Sequence, residues 1–83
     1  MILRIGSEVF EVESAGEIRT SARGESRTLA VEVQNGSGQN TIRASRDAIL
    51  LSPATLESSG AFYFYGIVQS VDIGAMITFS LEG

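Results

Sequence analysis

The sequence predicts a mainly β fold, a small antiparallel barrel or sandwich of about six strands. Three observations predict it. Apolar and polar residues alternate over several short runs, as they do in strands with one face buried. Glycine-containing turn signals separate those runs. With 83 residues, the chain lacks room for the helical crossovers that a parallel sheet needs.

The first element, residues 1–5, is a β-prone run, and Gly6-Ser7 is a two-residue turn of the Gly-X kind that folds it back into a hairpin. The return strand, 8–14, places Phe10 and Val12 on one face and Val9, Glu11 and Glu13 on the other. Gly16 marks a bulge or bend, after which 17–20 continues the strand. Residues 21–26 carry no apolar side chain larger than alanine and read as a loop.

Alternation is cleanest in 27–34, where Leu29, Val31 and Val33 point one way and Ala30, Glu32 and Gln34 the other. The glycine-rich turn 35–40 is expected to join this strand to a short one at 41–44, making a second hairpin. For 45–52 two readings stand. One is a short helix capped by Ser45, with Asp47 in its first turn and Pro53 ending it; the other is a short strand at 48–51. Residues 55–60 read as polar linker. A long strand at 61–73, bent at Gly66, turns at Gly74-Ala75 into a closing strand at 76–82, with Ile77, Phe79 and Leu81 inward.

Residues 61–81 hold five of the six aromatic side chains. Strict alternation puts Phe62 and Phe64 on one face and Tyr63 and Tyr65 on the other, so both faces of that strand are expected to need cover. A single domain spanning 1–83 buries only roughly 60 to 65 % of the surface its unfolded chain exposes. Cysteine is absent, which removes disulfides and thiolate metal sites as supplements, and self-association is the remaining common one.

The chemistry classes are narrowed in the same way. Histidine and cysteine are both missing, so the usual proton shuttles and thiol nucleophiles are unavailable, and the chain is read as non-enzymatic. An enzyme subunit completed by another chain is a remote third reading. Glu11 and Glu13 are neighbours on one strand rather than opposed carboxylates, and they read as a solvated face. The carboxylates show no calcium-loop spacing, so no metal is expected. Gly36-Ser37-Gly38 lacks the Lys-Ser/Thr of a phosphate loop and reads as a turn. No cofactor or small-molecule substrate is indicated. The residues after Met1 do not follow a secretory signal pattern, and no apolar run suits a membrane helix; the expected setting is a virion or the cytoplasm.

Charge gives one further pattern. Ten acidic and six basic residues leave a net charge of −4, and every basic residue is arginine. Arg19, Arg23, Arg27, Arg43 and Arg46 occupy the middle of the chain, whereas Glu8, Glu11, Glu13 and Glu17 crowd its beginning. These arginines, with Phe62, Tyr63, Phe64 and Tyr65, are the candidate interface residues. One reading sets the acidic surface of one subunit against the arginines of the next, giving a homo-oligomer; the bland reading is surface charge paired within one chain. The alternative function, a small barrel that stacks nucleic-acid bases on the tyrosines, uses the same arginines but is disfavoured by the net charge.

The order of pieces also carries a resemblance: an opening hairpin, the segment IRTSARGESRTLAVEV, and a late aromatic strand followed by ITFSL. In this the chain resembles the short β-rich structural proteins of tailed phages and prophages, although the VDIGA turn is shorter than theirs and lacks their polar, charged loop. The resemblance implies a non-enzymatic virion component of tail or baseplate that binds copies of itself or other structural proteins.

Overall fold

The structure, a computed structural model, describes residues 1–20, 24, 26–36, 38–46 and 49–83. It is mainly β. The strands are β1 (Ile2–Ile5), β2 (Glu8–Ala15), β3 (Arg19–Thr20), β4 (Arg27–Gln34), β5 (Pro53–Ser58), β6 (Ala61–Ile73) and β7 (Met76–Glu82), with one short helix, α1 (Gln39–Ala44). Six strands close a barrel in the order β1-β2-β4-β7-β6-β5 and back to β1, every neighbour antiparallel. Closure decides between barrel and sandwich. The short β3 resumes the path of β2 along β4 after an interruption at residues 16–18.

The inward rows follow the alternation of the sequence. Leu29, Val31 and Val33 of β4 pair with Leu81, Phe79 and Ile77 of β7, and Leu3 and Ile5 of β1 pair with Leu56 and Ala54 of β5. All of these are buried. Phe10 and Phe79 meet in the centre with ring centroids 5.1 Å apart and planes tilted by 49°, a favourable aromatic arrangement. Among the described residues no polar side chain is buried.

The turns match their residues. Gly6 has φ +60° at the first position of the β1–β2 turn, as the Gly-X turn requires. The β5–β6 turn has positive φ at both central residues, Ser59 and Gly60, which is the other tight hairpin solution.

Three expectations are corrected. Residues 41–44 belong to α1 and form no hairpin with β4, because β2 and β7 already occupy both edges of β4 and leave no ladder for a returning strand. The chain instead reverses through Gly36 (φ +62°) and Gly38 (φ +88°), held by Asn40 Nδ2 donating to the Gln34 carbonyl at 2.7 Å and Thr41 Oγ1 to Asn35 Oδ1 at 2.6 Å. Of the two readings of 45–52, the helix lies earlier, with Ser45 as its C-cap instead of its N-cap, and the described residues 49–51 belong to no strand; Asp47 and Ala48 lie outside the described residues. Finally, 55–60 is no linker. Most of it is β5, whose inward payload is only Ala54 and Leu56, too little to stand out in a serine-rich stretch.

Strand β6 also departs from strict alternation. Its register slips at Tyr63 against β5 and at Gln69 against β7, each a one-residue bulge. A bulge resets the two-residue phase of a strand and bends it. Phe64 and Val68 thus face inward in the middle, while beyond Gln69 it is Val71 and Ile73 that stand opposite the inward Phe79 and Ile77, Val71 partly buried against the core and Ile73 exposed at the strand's end. A third slip, at Glu13 of β2, bends the β2–β4 pairing. Such bends help six strands curl into a closed wall.

Candidate interaction surface

The outer face of β6 carries the aromatic side chains that the core does not take. Phe62 is 74 % exposed, Tyr65 63 % and Tyr63 46 %, and Ile67 is exposed beside them. The bulge at Tyr63 is the cause: it separates Phe62 from Phe64, so Phe62 pairs with Glu57 on the outer wall while Phe64 pairs with Leu56 in the core. The expectation that both phenylalanines share one face is thus overturned. Phe64, at 2 % exposure, presents no ring to a partner. Within the chain nothing described covers the second face of β6.

Across the wall from these rings run Thr55 and Arg4, in register with Tyr65, and Glu57 and Ile2, in register with Phe62. Arg4 Nε lies 3.4 Å from Glu57 Oε2. The surface is therefore an apolar ridge on one strand with a single ion pair alongside it. On the far side of the barrel β2 and β4 show Glu11, Glu13 and Glu32; Gln34 donates to Glu13 at 3.1 Å and Ser14 to Glu32 at 3.4 Å.

The arginines do not gather into one surface. Arg43 Nε donates to Glu8 Oε2 at 2.5 Å, its Nη2 donates to the Val9 carbonyl, and its guanidinium stands 4.2 Å from the Phe10 ring centroid. Arg46 Nη1 reaches the other oxygen of Glu8 at 2.9 Å. Hydrogen bonding by Arg43, aided by the charges of Arg43 and Arg46 and opposed by partial desolvation, holds the Glu8 carboxyl below its ordinary value. Both cations thus pin α1 to the β1–β2 turn across 35 or more residues of sequence. Arg27 lies over Phe64, 5.4 Å from its centroid, and Arg19 sits on β3 opposite Thr28. Arg23 lies outside the described residues. Of the five, the structure brings Arg27 to a ring of β6, and that ring is the buried one.

A second apolar surface was not signalled by the sequence. Ala44, Ser45, Arg46, Leu50, Val71 and Ile73 line a groove of about 280 Å³ between α1 and the β6–β7 turn. Leu50 and Ile73 are about half exposed in it. Only the second bulge, at Gln69, turns Val71 and Ile73 toward this side, and periodicity read through β6 without that slip assigns them elsewhere.

Among the described residues, no group of three or more acidic side chains is placed to hold a metal ion, and no helix is long and apolar enough to cross a membrane. No protein-family model, curated protein or solved structure matches the chain.

Proposed function

We propose that this chain is a non-enzymatic structural module that assembles with copies of itself through the outer face of β6. The observation that carries the reading is the exposure of Phe62, Tyr63, Tyr65 and Ile67 together on one strand of a small domain whose core is otherwise closed. Large rings left in water are costly, and aromatic residues in a patch poor in charge are typical of the centre of protein interfaces. A run free of charge, AFYFYGI, also offers a chain of net charge −4 a place to meet its copies without like-charge repulsion. The resemblance to phage structural proteins supports a virion as the setting, with further structural proteins as partners.

Light scattering coupled to size exclusion tests it. An oligomer that persists across a roughly hundredfold dilution and that Tyr65→Ala weakens is the expected result. A monomer at every concentration, with the rings still exposed, would overturn the reading. Retention on single-stranded DNA that fades with added salt would favour the nucleic-acid alternative instead.

A further inference from the structure

We infer that copies of this chain join head to tail, the Phe62 ring of one entering the groove between α1 and the β6–β7 turn of the next. The inference rests on the self-association proposed above and adds its geometry.

Knob and groove lie at opposite ends of one element. Phe62 is near the start of β6 and Ile73 at its end, eleven steps apart on a 13-residue strand; at roughly 3.3 Å per step the chain between them measures about 36 Å along its path, a path that the two bulges of β6 bend. A projecting ring at one end and an apolar hollow at the other is the arrangement that makes a heterologous contact, which repeats from subunit to subunit into a ring or a filament. A patch related to itself by a two-fold axis would need neither.

Size and charge agree with that occupant. A cavity of roughly 150 Å³ accepts a benzene ring, and the groove offers about 280 Å³ with Leu50, Val71 and Ile73 as its apolar lining. Phe62 is the most exposed large apolar side chain among the described residues. Beside the knob stands Glu57, its partner in the β5–β6 register, whose Oε2 also meets Arg4 at 3.4 Å, and at the rim of the groove stands Arg46, more than half exposed despite its bond to Glu8. Docking the ring brings that carboxylate and that guanidinium of neighbouring copies together, a complementarity that fixes orientation more than it adds affinity.

Two single variants and their mixture test the geometry. Phe62→Ala removes the knob and keeps the groove, whereas Leu50→Arg fills the groove and keeps the knob. Each alone is expected to weaken self-association by about 30-fold or more, the loss typical of a central anchor. Mixed, they are expected to form a one-to-one dimer that grows no further, since the Phe62→Ala groove takes the Leu50→Arg knob and the remaining ends are both disabled. If Leu50→Arg assembles like the parent chain, or if the mixture yields no dimer, the head-to-tail contact is wrong while self-association stands. A parent chain that is monomeric sinks both. Circular dichroism checks that each variant folds, and Ile73→Thr provides a milder change in the groove should Leu50→Arg unfold.

Discussion

Gly66 of β6 runs so close to Glu82 of β7 that a Cβ on it would lie 2.7 Å from the Glu82 carbonyl carbon, nearer still to its oxygen, and 2.9 Å from Cε1 of Phe64. The obstacle is backbone, which cannot swing aside as the end of a side chain can. Gly66→Ala is therefore expected to destabilise the domain by about 2–3 kcal/mol, toward the upper end of overpacking costs. In thermal denaturation that is a fall in midpoint of roughly 10 to 20 °C. Gly60 provides the contrast: its Cβ would meet nothing, but its φ is +81°. Gly60→Asn, which tolerates that conformation, should move the midpoint little. Equal midpoints for Gly66→Ala and the parent would show that the two strands separate freely.

The two phenylalanines that flank the Tyr63 bulge should behave oppositely. Phe64 is packed in the core opposite Leu56, so Phe64→Ala is expected to cost about 3–5 kcal/mol in denaturant unfolding. Phe62 stands on the outer wall, and measured at concentrations where the chain is monomeric, Phe62→Ala should change stability by less than about 0.5 kcal/mol. Comparable losses would mean that the bulge is misplaced and that Phe62 belongs to the core after all.

This contrast also marks how far the sequence could be read. Alternation in β4 and β7 names Leu29, Val31, Val33, Ile77, Phe79 and Leu81 as inward, and the structure buries all six, because an uninterrupted strand keeps its two-residue phase. The phase of β6 is not readable that way. No residue type announces the slips at Tyr63 and Gln69, which arise only when β6 must pair with β5 along one half and β7 along the other while the wall closes. The groove near Ile73 was invisible for the same reason. Helix α1 was missed because the thing that forbids a hairpin at 41–44, the occupancy of both edges of β4, belongs to the closed sheet and not to any local window.

Arg43 and Arg46 share Glu8 but should not be equivalent. Arg43 has its second hydrogen bond to the Val9 carbonyl and lies against the Phe10 ring, whereas Arg46 is more exposed and makes one contact with the carboxylate. Arg43→Ala is expected to cost about 1–2 kcal/mol, from a charge-assisted hydrogen bond and a cation–π contact together, and Arg46→Ala about 0.5 kcal/mol or less. Arg43→Lys should recover only part of the loss, since a single ammonium cannot reach carboxylate and carbonyl together while staying over the Phe10 ring. Urea midpoints of the three variants make the comparison, and identical midpoints for the two alanine variants would count against it.

The same cluster sets an acid sensitivity whose sign follows from Glu8. Its carboxyl is held below the ordinary value of 4.5 in the folded chain by the hydrogen bond from Arg43. A group depressed on folding stabilises the fold fully at pH above its unfolded value, and that contribution fades as pH falls through the lower folded value. Glu8→Gln keeps the shape but not the charge, so the variant should be less stable than the parent at pH 7, and the gap should narrow once pH falls below the ordinary carboxyl value and close as it passes through the lower folded one. Paired urea titrations of the two chains at pH 7, 5, 4 and 3 read that gap. A gap that stays constant with pH would locate the acid sensitivity in other carboxylates and reduce the Glu8 contact to geometry alone.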